Sequence, residues 1–189
     1  MADKRYYMAC LDLEGRSCLV VGGGRVGLEK ASGLLECRAR VTVVAPQACA
    51  ELQRLAVHWR RKPYDSSDLE GHFLVVAATS ITSVNRRVYA DAEARSLLCN
   101  VADVPELCSF ILPAVHREGP IAIAVTTGGA SPALAQRLRD QAAAQIEPGH
   151  AELAHRLREL RPWAKRHFPT YEARRDYFRE LVEDALPLP

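Results

Sequence analysis

The 189-residue chain has no apolar run approaching the ~20 residues that a membrane-spanning helix needs. Its opening segment, MADKRYYMACLDLEG, is polar and mixed in charge, without the apolar stretch and small-residue cleavage site of a secretion signal. A cytoplasmic protein with no membrane partner is the expectation. Neither sign of charge is in excess: 25 basic and 23 acidic residues leave a formal net charge of +2, which gives no case for a nucleic-acid surface. The six cysteines, Cys10, Cys18, Cys37, Cys49, Cys99 and Cys108, form no Cys-x-x-Cys pair and read as small core residues in a reducing compartment. There is no internal repeat and no low-complexity tract. What remains, 48% hydrophobic and 25% charged, is the composition of a globular chain with room for one full domain and a smaller appendage.

The most informative stretch present is SCLVVGGGRVGLEKASGLLE. Ser17 to Val21 reads as a short buried strand, Gly22, Gly24 and Gly27 fall in the G-x-G-x-x-G register, and Leu28, Ala31, Leu34 and Leu35 recur at helical spacing. Such a strand–turn–helix is a dinucleotide site: the first glycine permits the tight turn, the second admits a pyrophosphate, and the third lets the helix lie close to the sheet. The helix N-terminus offers amide donors and a positive dipole end to the phosphates.

Strands and helices then alternate. Further strands are expected at Arg40 to Val44, Val57 to Arg61, Phe73 to Ala78 and Leu97 to Val101, with helices over Ala48 to Ala56 and Ser83 to Arg95. The alternation predicts an α/β fold with a Rossmann-type parallel sheet covered on both faces. Beyond it, Ser109 to Leu112 and Ile121 to Thr126 read as strands separated by the turn-forming AVHREGP, with His116 a turn residue. Ser131 as N-cap and Pro132 at the first helical position open a helix that stops near Pro148-Gly149. From His150 the period is helical, with breaks at Pro162 and Pro169. The domain expectation is a dinucleotide-binding domain over 1–113, a small α+β dimerisation segment over 114–149 and a helical segment over 150–189.

Two absences narrow the chemistry. After the second strand stands Ala45-Pro46-Gln47, where an acidic residue usually grips the adenosine ribose, so local chemistry leaves the 2′ identity of the cofactor open; Arg25 could face a 2′-phosphate or solvent. No tyrosine has a lysine four residues later, which excludes short-chain dehydrogenase chemistry, and no cysteine–histidine cluster offers a catalytic metal site. Asp103 lies just beyond the fifth strand's carboxyl end, where ligands bind in open α/β sheets. A carboxylate there can take a proton while a nicotinamide takes a hydride, or serve only as a turn residue before Pro105. Asn100 is a candidate to hold a substrate polar group or the nicotinamide amide. Thr126, Thr127 and Gly128, with Gly129 and Ser131, offer exposed amides before a helix, as an anion site or as a tight turn.

VVGGGRVGLEKA, VTVVAP, FLVVAATS followed by VNRRV, CNVADVPELCSFILPA and AVTTGGASPALAQRLR occur in this order over about residues 5 to 145. Together they resemble the precorrin-2 dehydrogenase and sirohydrochlorin ferrochelatase family, the N-terminal module of siroheme synthases. The resemblance implies NAD as acceptor, a homodimer, and dehydrogenation of precorrin-2 to sirohydrochlorin. It places Gly22, Gly23, Gly24, Arg25, Val26, Pro46, Gln47 and Thr79 at the cofactor and Asp103 at the catalytic centre. Asn100, Thr126, Thr127, Gly128 and Ser131 would face the substrate. Some relatives also insert ferrous iron into the product; no dedicated metal ligands are expected here, and that same aspartate would serve. The substrate's many carboxylates would suit the eight basic residues against four acidic ones between His150 and Arg179, though a solvated helix face explains these equally well. Since no methylating domain follows Pro189, a separate enzyme is expected to supply precorrin-2. A nucleotide-sensing regulatory domain is the alternative from another class, and it gives no reason for N-V-A-D-V-P or T-T-G-G-A-S-P.

Overall fold

Each of the five strands expected in the first hundred residues is present, and all five are parallel. In the computed structural model, which describes residues 5–186, these are β1 (Ser17–Val21), β2 (Arg40–Val44), β3 (His58–Arg60), β4 (Leu74–Ala77) and β5 (Leu98–Val101). They form one sheet in the order β3-β2-β1-β4-β5. The order reverses between β1 and β4, and the crevice outside the carboxyl ends at such a switch point is where open α/β sheets bind ligands. Three of the four crossovers carry the helices α1 (Arg25–Glu36), α2 (Ala50–Gln53) and α3 (Thr82–Glu93), and the one from β3 to β4 carries a 3-10 turn at Ser66–Leu69.

The near-continuous apolarity of the strands follows from burial on both faces. Cys18 and Val20 of β1 pack with Ala31 and Leu34 of α1 and with Val41, Val43, Leu52, Leu74 and Val76. Leu19 and Val21 point the other way, onto Val75, Ala77, Val88, Ala92, Cys99 and Val101. Leu19 is wholly buried, so truncating it to alanine would cost about 2–5 kcal/mol. Only three of the cysteines are buried, Cys18, Cys99 and Cys108; Cys10 is exposed and Cys37 and Cys49 are half-buried, which corrects the reading of all six as core. Burial pushes the Cys18 thiol up to about 11 and the Cys99 thiol up to about 12.

The chain divides into two compact units, Met1–Ile111 and Leu112–Pro189. From Ser109 onward it departs from the sequence expectation in several places. Ser109 to Leu112 is not a strand: Cys108 and Ser109 instead cover the outer edge of β5 with their side chains. The stretch read as a turn is itself β6 (Ala114–Glu118), antiparallel to β7 (Ile121–Val125), and His116 sits mid-strand opposite Ile123. The turn is only Gly119-Pro120, with Gly119 at φ 54°, as a two-residue hairpin loop requires. On this hairpin packs α4 (Pro132–Ala143), whose Arg139 donates to the Val115 carbonyl. Ser131 Oγ accepts from the Leu134 amide and caps α4.

Pro148 begins a helix rather than ending one, since proline suits the first helical position. α5 (Pro148–His167) then runs through Pro162 without a break, and only Pro169 separates it from α6 (Tyr171–Ala185). Packing outweighs the bond lost at Pro162: the nearby Ala164 is wholly buried and Trp163 meets the rings of Phe168 and Tyr177 at 6.0 and 5.7 Å. The expected helix at Ala48 to Ala56 shrinks to α2, because i→i+3 bonds from the Arg54 and Leu55 amides tighten and end it. No helix among the described residues is long and apolar enough to cross a membrane.

At the amino-terminal end of the sheet, His72 Nδ1 lies 3.1 Å from Ser17 Oγ. Burial and the nearby Arg60 hold this imidazole below its ordinary value of 6.5, against the opposing pull of Ser17 and Asp68. The folded state therefore binds fewer protons than the unfolded one, so the stabilisation is complete above 6.5 and is lost as pH falls from there toward the lower folded value. Thermal melts between about pH 7.5 and 5.5 are expected to show a falling Tm in the wild type and a flatter profile in His72→Gln. Identical profiles would contradict this.

Candidate active site

One rung of backbone hydrogen bonds beyond the strand ends ties the carboxyl edge of the sheet together. The Ala45 amide donates to Arg60 O, Gly22 to Val44 O, Ala78 to Val21 O and Ala102 to Ala77 O. The sequence-predicted residues leave the sheet within two positions of that rung: Pro46 and Gln47 after Ala45, Gly23 and Gly24 after Gly22, Thr79 after Ala78, and Asp103 after Ala102. At ~4.8 Å between strands the four loops, on β2, β1, β4 and β5, cover about 14 Å. That is room for an extended dinucleotide laid across the strand ends.

The glycines divide by what surrounds them. Gly22 has φ 129°, and a Cβ there would collide with the Ala78 carbonyl at the end of β4. A Cβ on Gly27 would collide with the Gly22 carbonyl, which lets α1 lie against the turn. Gly23 packs on the Gln47 and Ala48 backbone and accepts a hydrogen bond from the Cys49 amide, docking the loop after β2 onto the glycine turn. Gly24 is different: it is exposed, and a Cβ there would meet nothing within 4 Å. It is the N-cap of α1, carries no side-chain cap, and its carbonyl takes the first helical bond from Leu28. The Arg25, Val26 and Gly27 amides thus have no acceptor within the helix. An uncapped helix end beside open space at a glycine fits the pyrophosphate of a dinucleotide. Arg25, Val26, Pro46 and Gln47 are exposed around it, and Trp59 Nε1 holds the Ala45 carbonyl at 3.0 Å beneath.

Two side chains that sequence reasoning passed over hold the other loops. Asn85 Oδ1 accepts from the Thr79 amide and hydroxyl (3.3 and 2.7 Å), and its Nδ2 donates to the Thr79 carbonyl at 2.9 Å. The signal for Asn85 was its place in the stripe Asn85, Val88, Ala92, where a buried polar residue occupies a core position of α3. Thr79 is thereby set by the protein, its hydroxyl engaged with Asn85 and the Ile81 loop. The other is Cys108, which contacts the loop bearing Asp103.

Asp103 is exposed, with φ 61° in a turn closed by the Val104 amide on Val101 O at 3.2 Å. Aspartate tolerates this left-handed region better than most residues. Asn100 does not present its amide outward: it is buried, and Nδ2 donates to Phe110 O at 3.0 Å. The donor expected to face substrate is thus occupied within the protein. Thr126, Thr127, Gly128 and Ser131 belong to the second unit. There the Gly128 amide donates to Thr126 Oγ1, the Ser131 amide to Thr127 Oγ1, and the Ala130 amide to the Thr127 carbonyl. With Ser131 Oγ already capping α4, this stretch takes the tight-turn arrangement, and those three amides point inward rather than to an anion.

The sheet, the switch point and the glycine turn together define a dinucleotide-binding protein. The family model described as putative NAD(P)-binding matches residues 9–114, and the one described as sirohaem biosynthesis protein central matches residues 118–145. The chain belongs to the putative NAD(P)-binding family. It is also similar to the siroheme synthases of Thioalkalivibrio sulfidiphilus (38% identical, covering 94% of this chain and 37% of that protein) and Ectopseudomonas mendocina (39% identical, covering 90% and 37%). The chain therefore spans under two fifths of the length of these relatives. Among solved structures it resembles SirC, precorrin-2 dehydrogenase, with a TM-score of 0.77 and 28% identity over 97% of this chain and 94% of that one.

Gly24→Asp separates ligand from fold. Since the site has room for a side chain, the melting temperature should stay near wild type, while a carboxylate against the pyrophosphate should raise the NAD+ Kd by about tenfold or more, a loss of at least ~1.4 kcal/mol. Calorimetric titration reads this directly. An unchanged Kd would place the pyrophosphate elsewhere.

Proposed function

We propose that this chain oxidises precorrin-2 to sirohydrochlorin with NAD+ as the acceptor. The observation that carries the reading is the exposed Asp103, set at φ 61° one residue past the hydrogen-bonded rung that also holds the glycine turn. The similarity to SirC, precorrin-2 dehydrogenase, over nearly both chains supports the same substrate. The reaction removes a hydride and a proton from a reduced tetrapyrrole and extends its conjugation. When bound, NAD+ supplies the hydride acceptor. The chain's own groups do the rest: α1 amides and Gly24 bind the pyrophosphate, Asn85 keeps the Thr79 turn fixed, and the Asp103 carboxylate takes the departing proton or orients the macrocycle. In this reading the chain works as a homodimer, as the resemblance implies, and in the cytoplasm.

An anaerobic assay with precorrin-2 tests this, comparing NAD+ with NADP+ and following sirohydrochlorin and NADH together. The expected result is one NADH per sirohydrochlorin, with NAD+ preferred. Nucleotide binding without turnover would instead identify a sensing module. In the same assay Asp103→Asn, which keeps a residue tolerant of positive φ while removing the charge, should lower kcat by about 10²-fold with NAD+ affinity intact. Full activity would reduce Asp103 to a turn residue.

A further inference from the structure

β5 is an outer strand, and the edge it turns away from β4 has no strand partner among the described residues. Its backbone groups there are met by the side chains of two consecutive residues. Ser109 Oγ accepts from the Cys99 amide at 2.8 Å and donates to the Cys99 carbonyl at 3.2 Å, while the Ser109 amide donates to that carbonyl at 2.8 Å. Two residues further along the edge, Cys108 Sγ accepts from the Val101 amide at 3.2 Å and lies 3.3 Å from the Val101 carbonyl. The same sulfur lies 3.3 Å from the Val104 carbonyl and 3.5 Å from Asn100 Nδ2.

Val101 and Val104 are the two ends of the turn whose φ-positive residue is Asp103. One buried thiol therefore bridges both ends of the turn that presents the exposed carboxylate. We infer that Cys108 is a positioning residue: its thiol clamps the 101–104 turn and thereby fixes where the Asp103 carboxylate meets the substrate. This rests on the reading of Asp103 given above. Sulfur suits the place, since the separations of 3.2–3.5 Å are those of a large, weakly polar atom. A serine oxygen, on a shorter bond and with a preferred separation of about 2.7–3.0 Å, reaches fewer of these groups at once. An alanine leaves the Val101 amide, on a residue 1% exposed, without this acceptor.

The test pairs a conformational readout with turnover in wild type, Cys108→Ala and Cys108→Ser, each with and without Asp103→Asn. Hydrogen exchange should quicken by about tenfold or more at the Val101 and Val104 amides of Cys108→Ala, with the Cys99 amide, held by Ser109, unchanged. Because misplacement of a catalytic group by a fraction of an ångström is costly, kcat should fall about tenfold or more while NAD+ Kd stays within about twofold. Cys108→Ser should recover part of both losses, and it serves as the readable variant should the alanine protein fail to fold. With Asp103→Asn present, neither change at residue 108 should lower kcat further. Unchanged exchange, an unchanged kcat, or the same fold-loss with and without the Asp103 carboxylate would each overturn the proposal. A full-rate Asp103→Asn enzyme would mark failure of the underlying reading of Asp103; failure of the clamp itself would show as unchanged exchange whatever Asp103 does.

Discussion

Everything at the candidate site hangs from the rung of hydrogen bonds one residue past the strands. Ala45, Gly22, Ala78 and Ala102 each donate to the strand beside them, so four loops leave the sheet from a common line rather than from four independent turns. The rung can close only because the chain is bare at Gly22, where the Ala78 carbonyl occupies the space of a side chain. The same economy of space brings α1 down onto the turn at Gly27 and leaves its uncapped N-terminus facing the crevice. The open helix terminus and the strand alignment are thus consequences of one backbone arrangement, which explains why the glycine turn and the Asp103 turn, far apart in sequence, share one edge of the sheet.

Past the rung, the loops are held by single side chains. Asn85 fixes Thr79 through three hydrogen bonds, Cys108 and Ser109 cover the outer edge of β5, and Trp59 holds the Ala45 carbonyl. Asn85, Cys108 and Trp59 are buried or half-buried, whereas Gly24, Arg25, Pro46, Gln47 and Asp103 lie at the surface. The exposed groups of the candidate site thus stand in front of buried or half-buried partners that set the loops' positions.

The sheet was legible because four of its five strands are mainly apolar on both faces and the glycine turn has strict spacing, two signals that do not depend on distant residues. Ser109 to Leu112 misled because a β-prone run says nothing about whether a neighbouring edge will be met by backbone or by side chains. Here Cys108 and Ser109 meet it, and the hairpin forms one segment later from AVHRE, whose polar residues concealed a strand with one covered face. Pro162 looked like a helix end by its own chemistry, but the packing of Ala164 and Trp163 decided otherwise. That Asp103 sits in a turn just beyond a parallel strand was legible from the run that precedes it. Asn100, close to it in sequence, has its amide turned inward by the Phe110 carbonyl, a partner ten residues away that no local pattern announces.

If the glycine turn and the Asp103 turn serve one ligand set along one sheet edge, a crystal structure of the chain with NAD+ bound is the most direct measurement. The pyrophosphate is expected over Gly24 at the start of α1, with the nicotinamide ring on the β4–β5 side, facing the Asp103 carboxylate. A cofactor whose nicotinamide turned toward β2 and β3, away from Asp103, would contradict this arrangement.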